Sequence, residues 1–171
     1  MLIKFLVDED VTNYKKTSMV IGLPFCDGKC WRDLNVKEPG KYNWSLCHNG
    51  NLLEQENIEI DQEKLIMRYL NNPLSHAIVF AGMEPLLSID DLIKFILSMR
   101  FTHNCDDDII IYTGYNEDES RAFRFITEIH SYDIKNVIVK FGRYIPNQEI
   151  HYDDVLGVKL ASDNQYAKKI S

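Results

Sequence analysis

The chain has 171 residues, enough for one domain with its own core, and its 45% apolar and 26% charged residues are those of an ordinary globular protein. The net charge of −7 argues against general nucleic-acid binding, which needs clustered Lys and Arg, but leaves room for a small anionic ligand held locally. No apolar run is long enough to span a bilayer, and the stretch from Met1 to Asp8 is too short and too soon acidic for a signal peptide, so the expected compartment is the cytoplasm.

In chain order, Leu2 to Val7 is expected to form a strand, and the apolar run Ser18-Met19-Val20-Ile21-Gly22-Leu23 a buried one. The stretch from Trp31 to Asn57 is the least regular, polar and turn-rich around Pro39-Gly40. Asp61 caps a helix to about Leu70, with Leu65, Ile66, Tyr69 and Leu70 on one face. His76 to Phe80 reads as a second buried strand. Ser88-Ile89-Asp90-Asp91 reads as a capping box before a helix carrying Ile89, Leu92, Ile93, Ile96 and Leu97. Asp108 to Tyr112 is a third strand, Ala122, Phe125, Ile126 and Ile129 mark a third helix, and Asn136 to Phe141 is a fourth strand. Continuously apolar strands separated by amphipathic helices predict an α/β domain over 1–171, with a mainly parallel sheet and crossover helices.

Glycine-bearing loops follow the four core strands that begin at Ser18, His76, Asp108 and Asn136: Cys26 to Cys30, Ala81 to Pro85, Thr113 to Tyr115 and Gly142 to Tyr144. In a parallel sheet all four emerge at the carboxyl edge, where ligands bind. Cys26 and Cys30 share one loop, and Cys47 supplies a third thiolate if residues 31–46 fold back. In a reducing compartment such cysteines read as metal ligands or free thiols before disulfides. Three thiolates on a four-iron cluster leave one iron open to a ligand. A structural zinc site with His48 as fourth ligand is the competing reading, weakened because adjacent residues rarely both reach one tetrahedral ion. Cys105, before Asp106-Asp107-Asp108, reads as a free thiol whose pKa the acidic neighbours raise.

Gly22-Leu23-Pro24-Phe25-Cys26-Asp27-Gly28-Lys29-Cys30 and Leu46-Cys47-His48-Asn49 together resemble the cluster loop of radical S-adenosylmethionine enzymes, with an insertion before the final cysteine. Ala81-Gly82-Met83-Glu84-Pro85-Leu86 resembles their Gly-Gly-Glu-Pro-Leu loop. Tyr112-Thr113-Gly114-Tyr115, Val139 to Tyr144 and the tail Ala161-Ser162-Asp163-Asn164-Gln165 resemble segments of the anaerobic ribonucleotide reductase activators. The matches keep their order from Asn13 to Gln165. Departures are Met83 for the second glycine, Asn13 to Ser18 without the usual Gly and Arg, Lys140-Phe141 where the family has a single Asp, and Ala161 and Tyr166 beside the tail motif.

The resemblance implies a compact, partial (open) radical-SAM β/α barrel. It implies a [4Fe-4S] cluster on Cys26, Cys30 and Cys47, and S-adenosylmethionine gripped at its amino group by Gly82, Met83 and Glu84. Thr113 and Gly114 would lie near the ribose or methionyl portion, with the His48 backbone at the adenine and no catalytic residue beyond these. The implied reaction is reductive cleavage to a 5′-deoxyadenosyl radical that takes hydrogen from a glycine of a partner glycyl-radical reductase. An external one-electron reductant such as flavodoxin or ferredoxin is implied, and neither nucleic acid nor membrane. A radical enzyme acting on a small molecule or peptide, and a non-catalytic zinc-binding interaction module, are the other readings. The inserted segment, with Trp31, Arg32 and Trp44, is expected to cover the cofactor or meet the partner.

Overall fold

The apolar runs become the inner strands of a six-stranded sheet. A computed structural model describes residues 1–30, 47 and 49–171. The insertion and His48 lie outside the described residues. The strands are β1 (Leu2–Ile3), β2 (Phe5–Asp10), β3 (Ser18–Leu23), β4 (Ile58–Glu59), β5 (Ala77–Gly82), β6 (Asp108–Tyr112), β7 (Val137–Phe141), β8 (His151–Asp153), β9 (Val158–Leu160) and β10 (Tyr166–Lys169). The sheet runs β10-β7-β6-β5-β3-β2, with β3, β5, β6 and β7 parallel and the outer two strands antiparallel to their neighbours. The architecture is therefore mixed α/β with a mainly parallel central sheet. Two small pairs, β1 with β4 and β8 with β9, stand apart from it.

The helices are α1 (Gln62–Leu70), α2 (Ile89–Leu97) and α3 (Ser120–Ser131). Asp61 begins α1 as expected: its carboxylate accepts from the Glu63 and Lys64 N–H groups at 2.9 and 3.1 Å. Two details differ from expectation. Leu70 is exposed, because the buried face of α1 ends at Tyr69. The Ser88 capping box does not form. Ser88 belongs instead to a 3₁₀ turn, Pro85–Ser88, which runs directly into α2, so its hydroxyl has no free helix end to cap.

Each new parallel strand adds on the same side of the last, so the crossovers fall on one face. Alternation along the strands sorts the side chains accordingly. Met19, Ile21, Leu23, Ile78, Phe80, Ile109, Ile111, Val137 and Val139 pack against the helices, with Phe80 edge-on to Phe95 at 5.1 Å. Val20, Val79, Ile110 and Ile138 face the other way, beneath Tyr14 and the β8–β9 segment through Leu156 and Leu160. The last row on this second face, nearest the carboxyl edge, is Phe5, Gly22, Ala81, Tyr112, Lys140 and Ala167. Its middle is small, and a Cβ on Gly22 would fall 2.2 Å from the Phe5 ring. Small residues here leave a hollow that larger ones would fill. Among the described residues no helix is long and apolar enough to cross a membrane.

Candidate functional site

The four loops leaving β3, β5, β6 and β7 do converge. They border one cavity of about 710 Å³, floored by the Phe5–Lys140 row and flanked by Leu160 and Gln165. Cys26, Cys30, Cys47, Gly82, Met83, Glu84, Thr113 and Gly114 all line it. His48, expected at the adenine, lies outside the described residues.

The cysteine loop is shaped by its own backbone. Gly28 sits at φ +65°, a conformation that glycine adopts without strain, and its N–H donates to Cys26 Sγ at 3.2 Å. The Lys29 N–H donates to Asp27 at 3.0 Å, so Cys26 and Cys30 are held on one tight turn. Burial pushes the Cys26 thiol up to about 12 and the Cys30 thiol up to about 11. The neighbouring Cys47 adds to the rise at Cys30, and Arg143 opposes it. Metal binding must displace those protons.

Among the described residues no group of three or more His, Cys, Asp and Glu could hold a single metal ion. Thiolates that each bind a different iron of a cluster stand farther apart than ligands of one ion. Three thiols border the one cavity, a donor set in number that three irons of a four-iron cluster would use, with one iron left over. Cys105 does not line the cavity and packs against the helix-side core. Its thiol is raised chiefly by burial, with the Asp107 charge a lesser cause than its sequence neighbours suggested.

Glu84 is the hub of the loops. It is 6% exposed. One carboxylate oxygen accepts from the Leu86 N–H at 3.0 Å and the Thr113 hydroxyl at 2.7 Å; the other accepts from the Gly114 N–H at 2.8 Å. Burial raises its pKa, and these three donors act against that rise. The Glu84 N–H donates to Phe25 O at 2.7 Å and the Met83 N–H to Leu23 O at 3.2 Å, joining the β5 loop to the cysteine loop. Gly82, at φ +92°, has no room for a side chain, since a Cβ would meet Leu23 N at 2.8 Å. The Gly82 carbonyl accepts from Asn49 Nδ2 at 2.8 Å, which fastens the segment after Cys47 to the end of β5. Thr113 and Gly114 are thus spent on Glu84.

A second network leaves little trace in the sequence. Arg143 makes a two-point ion pair with Glu119, both bonds 2.9 Å, and Lys29 joins the same carboxylate at 2.5 Å. Burial alone would raise the Glu119 carboxyl, but the bonds from Arg143, Lys29 and the Asn116 N–H outweigh it and hold the pKa at about 2. The Tyr115 hydroxyl donates to Asp27 at 2.7 Å, and the Arg143 guanidinium lies 5.2 Å from the Tyr115 ring. Three strand-end loops are thereby tied together around Cys30. These partners come from distant segments, so only the Gly142-Arg143-Tyr144 turn carried any local signal. The tail motif has a physical role too: Asn164 donates to Arg143 O at 2.9 Å and Gln165 to Gly142 O at 3.3 Å, fixing the β7 turn.

Residues 40–159 match the family model described as a 4Fe-4S single cluster domain. The match covers Cys47 and the β5, β6 and β7 loops, while Cys26 and Cys30 precede it. No curated protein and no solved structure matches the chain.

Proposed function

Because the chain belongs to the 4Fe-4S single cluster domain family, we propose that Cys26, Cys30 and Cys47 hold a [4Fe-4S] cluster used for the reductive cleavage of S-adenosylmethionine. The observation that carries this reading is the meeting of three thiols with the Glu84-centred loops at one cavity, on the carboxyl edge of the parallel strands. A cavity of about 710 Å³ is of the size that small-molecule ligands occupy. The parallel run β3-β5-β6-β7 is read as the partial barrel of radical S-adenosylmethionine enzymes.

When bound and reduced by an external donor such as flavodoxin or ferredoxin, such a cluster supplies one electron to the sulfonium, breaking a carbon–sulfur bond to give methionine and a 5′-deoxyadenosyl radical. The chain's own residues position the ligand. An ionised carboxylate offers about four acceptor positions. Three of those on Glu84 are filled, and the one left receives the ligand's ammonium group. The backbone at Gly82 and Met83 borders the same group, and Thr113 and Gly114 act by holding Glu84 in place. The Phe5 and Tyr112 rings wall the cavity and exclude water.

The hydrogen donor for this chemistry would be a glycine of an anaerobic ribonucleotide reductase. Support for this partner is the ordered set of motifs, above all Tyr112 to Tyr115 and Ser162 to Gln165. Reduced protein with S-adenosylmethionine and a co-encoded reductase is expected to give a glycyl radical by electron paramagnetic resonance. Robust cleavage without any glycyl radical replaces this partner with a small molecule or a peptide.

A further inference from the structure

The charges around Cys30 form one connected group. A Cβ on Gly114 would fall 3.1 Å from Arg143 Cγ and 3.8 Å from Cys30 Sγ, so the arginine stem and the sulfur meet across a glycine. Both side chains border the cavity. The guanidinium is held by its two 2.9 Å bonds to Glu119 and lies 5.2 Å from the Tyr115 ring. Its planar fork suits that two-point bond, which an ammonium cannot copy. Lys29, one residue before Cys30, reaches the same carboxylate. Two cations thus meet on one carboxylate beside Cys30. Arg143 is the more deeply set of the two, its side chain 12% exposed against 37% for Lys29, so water and salt screen its charge less. Burial is the chief obstacle to a thiolate at Cys30; Cys47, Glu84 and Asp27 add to it, and the Arg143 charge works the other way. Lys140, buried in the cavity floor, is a further cation within electrostatic reach of Cys30.

Reduction of a four-iron cluster adds one electron, taken from the external donor, and makes or breaks no covalent bond to these residues. A fixed cation beside a ligating sulfur stabilises the added negative charge, and a fixed anion opposes it. We propose that Arg143 raises the reduction potential of the cluster held at Cys30, and that Glu119 anchors the guanidinium and partly offsets its charge. This deepens the reading of Cys30 as a cluster ligand and rests on it.

The test is a redox titration of the anaerobically reconstituted protein without S-adenosylmethionine, read by the electron paramagnetic resonance of the reduced cluster. Arg143→Met removes the charge and keeps an apolar stem. It is expected to make reduction about tenfold less favourable, a fall of about 59 mV for one electron. Arg143→Lys, which keeps the charge and loses the fork, is expected to stay near wild type. Glu119→Gln removes the offsetting charge and is expected to move the potential the opposite way, upward. Opposite signs mark an effect of charge, because a merely loosened loop would move both variants alike. An unshifted potential in Arg143→Met, or an unshifted or lowered one in Glu119→Gln, overturns the proposal yet leaves the cluster reading standing. If Arg143→Met holds no cluster, the sign in Glu119→Gln decides alone. A wild type that assembles no cluster overturns both.

Discussion

Cys26→Ala, Cys30→Ala and Cys47→Ala are each expected to remove most of the bound iron, whereas Cys105→Ala keeps it. The three thiols line one cavity from two segments, and the fourth packs into the helix-side core. With only three thiolates available, loss of one leaves a second iron without a protein ligand, and binding free energy falls with it. The effect should be specific to the cluster. All three substitutions keep the Lys29 N–H bond to the Asp27 carboxylate, and Cys26→Ala loses only the Gly28 N–H contact to Sγ, so the apoprotein variants should fold. Iron and sulfide analysis, with the visible absorption of the reconstituted protein, reads the result. Full iron content in Cys47→Ala would remove the third ligand from the assignment.

Glu84→Ala is expected to lower both stability and ligand affinity. The substitution leaves the Leu86 N–H, the Thr113 hydroxyl and the Gly114 N–H without their acceptor in a buried setting. Unpaired buried donors of this kind destabilise by about 1–3 kcal/mol each, and partial relaxation puts the sum at about 3 kcal/mol. For a chain of this size that lowers Tm by about 6–12 °C. Affinity for S-adenosylmethionine should fall by about 1.5–3 kcal/mol, the range for losing a charge-assisted hydrogen bond. Glu84→Gln should be milder, because one oxygen still serves Leu86 and Thr113 and only the Gly114 N–H loses its acceptor. Thermal melting and calorimetry separate the two effects. An unchanged Tm in Glu84→Ala would contradict the bolting role, and unchanged affinity in the folded variant would contradict the ammonium contact.

The inner strands and the helices were legible because each repeats one signal over several residues: unbroken apolar runs in β3, β5, β6 and β7, and helical spacing in α1, α2 and α3. The short elements were not. The expected strand from Leu2 to Val7 is divided at Lys4, whose N–H donates to Gly22 O, so that β1 pairs with β4 and β2 with β3. β10 is largely polar, half of it Lys168-Lys169, and pairs only because β7 presents an unfilled edge. The Ser88 box looked correct locally, yet Glu84 and Pro85 had already begun the turn.

The site divides in the same way. Cysteine spacing and strand-end glycines announce themselves in sequence. The tie from Asn49 to Gly82, the ion pair of Glu119 with Arg143 and the burial of Lys140 join residues tens of positions apart, or depend on which face a strand presents. Such pairings exist only once the chain is folded.

Anaerobic incubation of the reconstituted, reduced protein with S-adenosylmethionine, followed by product analysis, decides whether the cavity holds a cluster that cleaves this ligand. About four irons per chain and the release of methionine and 5′-deoxyadenosine in equal amounts are expected. A colourless protein that takes up zinc in place of iron, or a four-iron protein that leaves S-adenosylmethionine intact, would contradict this reading.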